Sequence, residues 1–97
     1  MRPRLALVPG EPAGIGPELV VRALQRDWDA DLTVFGDRAS LAAAARSLDL
    51  PLPPHVALVD IANAVPATPG TPDPRNAPMV VEALERAARA CLHGDFD

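Results

Sequence analysis

The sequence contains no lysine and no tyrosine, and Cys91 is its only cysteine. Without lysine the chain has neither a Schiff-base nucleophile nor the lysine that a phosphate-binding P-loop needs. A single cysteine excludes an internal disulfide and any Cys-x-x-Cys metal or redox motif. His55 and His93 are the only histidines, so a zinc site would need carboxylates, and none stands at a recognisable spacing.

Aromatic residues and clustered positive charge are also scarce. Trp28, Phe35 and Phe96 are the only aromatic residues, which leaves no stacking platform for single-stranded nucleic acid. All nine basic residues are arginines scattered along a chain of net charge −4, so we expect no nucleic-acid partner. No apolar run approaches the roughly 18–20 residues of a membrane span, and the apolar run after Arg4 is too short for a signal peptide. We therefore expect a soluble cytoplasmic protein with no membrane partner.

The apolar content is sufficient for one small domain. The 97 residues are 48% hydrophobic, but alanine supplies much of that share and buries little area per residue. A domain of this length buries only about 60–65% of its unfolded surface. The sequence therefore predicts a thin core and modest stability.

Apolar runs alternate with segments of helical spacing. Runs bounded by turn residues predict three short strands, at residues 5–8, 32–35 and 56–59. Recurring apolar positions predict three helices, at residues 17–27, 41–50 and 76–92. The order β-α-β-α-β-loop-α is typical of a three-layer α/β/α fold with a mainly parallel sheet.

The helix predicted over residues 76–92 is the most strongly patterned segment. Its apolar positions form one broad stripe, made of Val80, Val81, Leu84, Ala87, Ala88, Cys91 and Leu92. This pattern predicts that the stripe packs in the core and that Cys91 is a buried thiol rather than a nucleophile. Asn76 is predicted to cap the start of the helix and Gly94 its end.

Five prolines and a glycine fall within residues 62–78, which predicts an extended loop without helix or ladder hydrogen bonds. Two interpretations remain open for it, a mobile loop and a docking arm for a partner. After the last helix, residues 95–97 stand where a further strand is expected to begin. We therefore interpret the chain as an incomplete fragment of a longer α/β protein, and we expect it to self-associate or to fold loosely on its own.

The loop at residues 9–18 carries the most specific signal in the chain. It has the sequence PGEPAGIGPE and joins the first strand to the first helix, where α/β proteins place ligand-binding backbone. Leu19 stands where a dinucleotide-binding fingerprint has its third glycine, and no lysine completes a P-loop. Glu11 and Glu18 oppose a phosphate at the helix start. From the residues alone, a ligand-binding loop and a tight structural turn are equally supported.

Residues 7–20, LVPGEPAGIGPELV, resemble the amino-terminal signature of the 4-hydroxythreonine-4-phosphate dehydrogenase family, T-x-G-[DE]-P-A-G-I-G-P-E after the first strand. Val8 replaces the common threonine. Residues 76–97 resemble the helix that precedes the next strand of that family, in the same order along the chain. The resemblance spans residues 1–97 but corresponds only to the amino-terminal part of the family's α/β domain, with residues 62–78 as a loop within it.

The resemblance implies an NAD-dependent and metal-dependent dehydrogenase. Family members oxidise 4-phosphooxy-threonine to a 2-amino-3-oxo acid that loses CO2, a step toward pyridoxal 5′-phosphate. Their divalent metal is held by histidines from both subunits of a homodimer, and their two-domain fold is related to the isocitrate and isopropylmalate dehydrogenases. A metal beside the reacting hydroxyl would polarise that oxygen during oxidation and decarboxylation.

The resemblance also limits which residues of this chain can be assigned a role. The metal-binding histidines, phosphate contacts and active-site lysine of the family lie beyond residue 97, and neither His55 nor His93 matches a ligand position. We therefore expect no catalytic residue, no metal ligand and no tightly bound cofactor in this chain, and no activity when it is alone. Gly14, Ile15 and Gly16 are the predicted cofactor-side residues, because the loop is expected to line the cleft between domains.

Two further interpretations stay open. The chain also fits a sister dehydrogenase acting on another phosphorylated four-carbon hydroxy acid, because no residue up to 97 separates the two enzymes. A third interpretation is a non-catalytic truncated α/β module that binds a partner or a nucleotide. Under the first two interpretations the substrate is a phosphorylated hydroxy acid and the assembly is a homo-oligomer.

Overall fold

The computed structural model describes residues 2–54 and 56–97. The described chain forms three strands, three α-helices and one short 3₁₀-helix. In chain order they are β1 (Arg4–Leu7), α1 (Gly16–Leu24), β2 (Asp31–Gly36), α2 (Arg38–Leu48), β3 (Ala57–Asp60), a 3₁₀-helix (Pro74–Asn76) and α3 (Ala77–Leu92). His55, one of the two histidines of the sequence, lies outside the described residues.

The three strands form one parallel sheet in the order β1-β2-β3, with β2 in the centre. The register places Leu5 beside Leu32 on one side of β2, and Phe35 beside Val59 on the other. Helices α1 and α2 pack on one face of the sheet and α3 on the other. The predicted three-layer α/β fold with a parallel sheet is confirmed.

The larger core lies between the sheet and the pair α1 and α2. Val21 and Val34 are fully buried there and Leu41 is nearly so, with Val20, Leu24 and two alanines of α2 around them. These residues lie within the helices predicted over residues 17–27 and 41–50 and the strand predicted over residues 32–35. The core is thin because alanine fills much of the α2 side, so each contact removes little apolar surface from water.

Of the predicted apolar stripe of α3, only Ala87 is buried in the second core, under that helix. Ala83 and Ala87 are the buried residues of the helix, and they pack with Phe35 and Ile61. The large apolar side chains of the stripe face outward, since Val81, Leu84 and Leu92 are 54%, 60% and 86% exposed. The prediction that Cys91 is a buried core thiol is wrong, because its side chain is exposed on the same outward face.

The helix ends follow local capping chemistry. Asp37 accepts a hydrogen bond from the Ser40 N–H (2.7 Å), so α2 begins at Arg38, three residues before the predicted start. At the other end Asp49 adopts a left-handed conformation with φ 53°. Gly94 has φ +83° and follows α3 as predicted, and its N–H donates to the Cys91 carbonyl (3.1 Å).

The C-terminal residues return to the outer edge of β1. The Asp97 N–H donates to the Arg4 carbonyl (2.8 Å), and the Arg4 N–H donates to Asp97 Oδ2 (2.8 Å). Phe96 packs edge-on against Phe35, with ring centroids 5.5 Å apart. Residues 95–97, where the sequence predicts the beginning of a strand, therefore run beside the edge of β1 that β2 does not occupy.

Candidate functional site

The candidate site stands at the carboxyl edge of the sheet, where β1, β2 and β3 end. In parallel α/β sheets this edge is where the connecting loops meet and where ligands bind. The loop at residues 9–18, called the signature loop below, leaves β1 at this edge and begins α1. Asp37 follows the last residue of β2, and Asp60 is the last residue of β3 at the same edge.

The signature loop is held by its own backbone. The Gly14 N–H donates to the Glu11 carbonyl (3.0 Å), and the Ala13 N–H donates to Glu11 Oε1 (3.0 Å). Gly10 has φ +80°, a conformation that glycine adopts without strain. The Glu11 carboxylate is therefore engaged inside the loop, and Ala13 is buried at 5% exposure.

Gly16 is required by packing within the loop. A Cβ at this position would overlap the Pro9 carbonyl oxygen and stand 2.7 Å from the Pro9 carbonyl carbon. The ring of Pro9 in turn lies against Gly36 at the end of β2, where a Cβ would stand 3.2 Å from two ring carbons. Glycine therefore permits close packing here between parts of the protein itself, Gly16 against the Pro9 carbonyl and Gly36 against the Pro9 ring.

Gly14 and Ile15 form the outward surface of the signature loop. Ile15 is 72% exposed, although isoleucine is among the residues most often buried in proteins. Leu19, one turn further along α1, is 57% exposed. Gly14, which lies between the turn at Glu11 and Ile15, is exposed as well. The predicted cofactor-side residues thus divide into two exposed positions, 14 and 15, and one packing position, 16.

Both oxygens of the Asp37 carboxylate accept hydrogen bonds from the protein. One oxygen accepts from the N–H and the hydroxyl of Ser40 (both 2.7 Å), and the other accepts from the Asn63 N–H (2.9 Å). Asp60 likewise accepts from the Arg38 N–H (2.9 Å). Both aspartates stand at the carboxyl ends of strands, where other nucleotide-binding folds place a ribose ligand. Here they cap α2 and hold the loop after β3.

The Pro-rich stretch returns to the signature loop. Residues 62–73 contain no helix or strand, but the tip closes through an isolated bridge between Thr68 and Thr71. The Gly70 N–H donates to the Ala13 carbonyl (2.8 Å). The end of the predicted loop is helical, because the 3₁₀-helix begins at Pro74 and α3 at Ala77. The loop is therefore attached at its tip to the signature loop.

Asn76 fixes the base of this loop. Its side chain is 1% exposed; its Oδ1 accepts from the Val65 N–H (3.0 Å), and its Nδ2 donates to the Val65 carbonyl (3.1 Å). The prediction that the Asn76 side chain caps α3 is wrong, since it makes no capping hydrogen bond to the helix. The sequence signal that could have found this role is the position of an amide between a proline-rich loop and a helix start.

A groove of about 430 Å³ separates the signature loop from the Pro-rich loop. One wall is formed by Pro12, Gly14 and Pro17, and the other by residues 63–67 with Pro69. Helix α2 closes the floor with residues from Ala39 to Ser47. Glu18 and Arg46 are charged residues of its lining, so the groove is largely apolar with polar groups at its sides.

Metal-ligating side chains do not converge in the part of the chain that the structure describes. Within residues 2–54 and 56–97, no three His, Cys, Asp or Glu residues are placed to hold a metal ion. His93 is exposed at the end of α3, on the opposite face of the sheet from α1 and α2. None of the described helices is long and apolar enough to cross a membrane.

Comparison with known proteins identifies what this arrangement is similar to. The chain is 49% identical over 108 aligned positions to 4-hydroxythreonine-4-phosphate dehydrogenase of Stenotrophomonas maltophilia strain K279a, an alignment that covers 99% of this chain and 33% of that protein. The chain therefore aligns with about one third of the length of that dehydrogenase. The dehydrogenases of the same name from Xylella fastidiosa strain 9a5c and Serratia proteamaculans strain 568 are 49% and 40% identical, over 97% and 96% of this chain. No protein-family model matches the chain.

Solved structures give the same result for the fold. A 4-hydroxythreonine-4-phosphate dehydrogenase from Klebsiella pneumoniae matches with a TM-score of 0.84 at 21% identity, over 99% of this chain and 35% of that structure. One from Burkholderia phymatum matches with a TM-score of 0.88 at 18% identity, over 100% and 35%. The resemblance to this family is confirmed, and the chain spans about a third of the length of the relatives it matches.

Proposed function

We propose that this chain is the amino-terminal part of an NAD-dependent and metal-dependent dehydrogenase that oxidises 4-phosphooxy-threonine toward pyridoxal 5′-phosphate. The observation that supports it is the placement of the signature loop, whose exposed residues 14 and 15 stand at the ligand-binding edge of a parallel sheet. The names of the relatives favour this substrate over that of a sister dehydrogenase, since the three proteins compared above carry the same activity in their names.

The residues present fit one part of NAD better than another. Ile15 and the groove walls offer apolar surface to a flat ring, and Gly14 allows close approach of the backbone. Glu18 in the first turn of α1 opposes the pyrophosphate, and both oxygens of the Asp37 carboxylate already accept hydrogen bonds from the protein. We therefore assign to Gly14 and Ile15 contact with the edge of a ring or of a ribose of NAD. Gly16 supports these two residues, because it allows the loop to pack against Pro9. Bound NAD would supply the hydride acceptor.

We propose that metal binding and catalysis belong to the two thirds of the relatives' length that this chain does not span. The described residues do not fit a divalent metal, because their carboxylates and His93 do not converge. We accordingly derive no catalytic step through a metal from these residues. The proposed enzyme is a cytoplasmic homodimer, and this chain alone is expected to bind NAD weakly and to show no dehydrogenase activity.

The experiment is a titration of the 97-residue chain with NAD, followed by amide NMR. We expect weak binding, with the largest shifts at Gly14, Ile15 and Gly16. Ile15→Ala should reduce these shifts at equal NAD concentration without changing stability, because the side chain is 72% exposed. Leu19→Ala, an exposed apolar residue one turn away, is the matched control and should leave them unchanged.

Two results would contradict the proposal. Shifts that avoid the signature loop, or that respond equally to both variants, would remove the assignment of Gly14 and Ile15. Measurable oxidation of 4-phosphooxy-threonine by the 97-residue chain with NAD and a divalent metal would refute the statement that the catalytic groups lie outside it.

A further inference from the structure

We propose that Asn76 is a positioning residue that fixes the Pro-rich loop against the signature loop and thereby sets the width of the groove between them. The proposal rests on the proposed function only in taking this groove as the place where the cofactor lies. Asn76 does not line the groove itself, so its effect must pass through the loop that it holds.

The first step is the hydrogen bonding of the Asn76 amide. It is the buried polar residue of the described chain, and both ends of its side chain are paired with the backbone of Val65. An unpaired buried amide group is costly, so the side chain and Val65 hold each other in place. The backbone of Asn76 is itself fixed, because its N–H donates to the Asp73 carbonyl (3.0 Å).

The second step carries this constraint to the tip of the loop. Residues 65 and 76 close a segment that contains Pro66, Pro69, Pro72 and Pro74, and each proline restricts φ. The Thr68–Thr71 bridge further restricts the conformation of the loop tip. A segment restricted in this way is stiffer than a flexible linker, so a displacement of Val65 is expected to displace Gly70 as well.

The third step joins the tip to the signature loop. The Gly70 N–H donates to the carbonyl of Ala13, which is buried beside the exposed Gly14. Gly70 has φ +80°, which other residues adopt only with strain. The chain of contacts therefore runs from the start of α3 through Val65 and Gly70 to Ala13, and it spans the groove from one wall to the other.

The test uses amide hydrogen exchange and NMR on the 97-residue chain. Asn76→Ala should speed exchange of the Val65 and Gly70 amides about tenfold or more, because their shared restraint is lost. It should also shift the resonances of the signature loop, and at equal NAD concentration it should weaken the NAD-induced shifts there. The buried amides of Val21 and Val34, in the other core, should keep their protection.

The matched control is Asp73→Ala. Asp73 caps the 3₁₀-helix that leads into α3, but its carboxylate bonds only to Arg75 in the described structure. A merely structural role at the start of α3 predicts similar effects of the two variants, whereas positioning predicts that only Asn76→Ala changes Gly70 and the signature loop. Wild-type exchange at Gly70 in a folded Asn76→Ala chain would overturn the proposal.

A measurement on the unmodified chain applies even where the Asn76→Ala chain fails to fold. One opening event should release Val65 and Gly70 together, so their amides should exchange with the same free energy of opening. Clearly different opening free energies would overturn the proposal. The chain could also show coupled opening but no NAD-induced shifts. That result would support the role of Asn76 in shaping the groove and would contradict the proposal that NAD lies there.

Discussion

At the scale of single residues, the glycines of the signature loop show why a motif can be recognised before its geometry is known. The pattern indicates where glycine is required but not which neighbour requires it. Gly16 accommodates the Pro9 carbonyl, and Gly10 provides a positive φ. The exposure of Ile15 also could not be read from the sequence, because an isoleucine between two glycines is equally compatible with burial.

Gly16→Ala is predicted to destabilise the chain by about 1–3 kcal/mol or more, since the new methyl group would overlap the Pro9 carbonyl oxygen. Gly14→Ala is the control, because its Cβ would overlap no atom: the nearest atom is the Glu11 carbonyl oxygen at 3.3 Å, followed by two Glu11 side-chain carbons at 3.9 Å. Urea denaturation of the two variants measures the difference. Equal stability of the two would mean that Pro9 is not held against the start of α1.

Asp73 provides a pH-dependent contribution to stability. Hydrogen bonds from the Arg75 side chain and N–H lower the pKa of Asp73 to about 2. A carboxyl group whose pKa is lower in the folded state stabilises the fold above its unfolded pKa of about 3.9, and this contribution is lost as the pH falls toward 2. The effect is small because the pair is exposed to solvent.

We expect the melting temperatures of the wild-type chain and the Asp73→Asn variant to differ at pH 6 and to converge as the pH falls from 4 to 2. Thermal melts followed by circular dichroism across this range provide the measurement. A difference that stays constant down to pH 2 would assign the contribution of Asp73 to something other than its charge.

At the scale of elements, α3 shows that periodicity predicts a helix, whereas packing decides which of its faces is buried. The existence of the helix was predictable, because its apolar positions recur over four turns. Its orientation was predicted wrongly, since periodicity does not say whether alanines or larger apolar side chains lie against the sheet. Ala83 and Ala87 lie against the sheet because small residues let the helix approach closely, which leaves Val81, Leu84 and Leu92 outward.

This outward apolar face predicts self-association of the chain. Leu84→Glu should reduce association in sedimentation velocity and leave the unfolding free energy within about 0.5 kcal/mol, because the side chain is largely exposed. Ala87→Glu, one turn along but buried, should destabilise the chain by about 3–5 kcal/mol through an unpaired buried charge. If Leu84→Glu associates as strongly as the wild type, then another surface is responsible.

At the scale of the whole molecule, local sequence was sufficient for the element order and the parallel three-layer fold. The alternation of short apolar runs with helical segments allows few other arrangements. The candidate site was less predictable, because its geometry depends on contacts between distant residues. Asn76 holds Val65, Gly70 holds Ala13, and Asp37 holds Asn63, and no local pattern encodes such pairs.

The same contacts explain how a chain that spans a third of its relatives' length can retain a defined loop at the sheet edge. Within the described residues, the two cores and the attached Pro-rich loop support the signature loop. Under the proposed function, the chain contributes a preformed wall beside the cofactor. The reacting groups are proposed to come from the remaining two thirds.

The most direct test of this account is a chimaera in which the chain replaces the matching third of the Stenotrophomonas maltophilia dehydrogenase, 49% identical to it. We predict NAD-dependent oxidation of 4-phosphooxy-threonine by the chimaera, with Ile15→Ala raising the KM for NAD and Leu19→Ala leaving it unchanged. A folded chimaera without this activity, beside an active parent enzyme, would contradict the account.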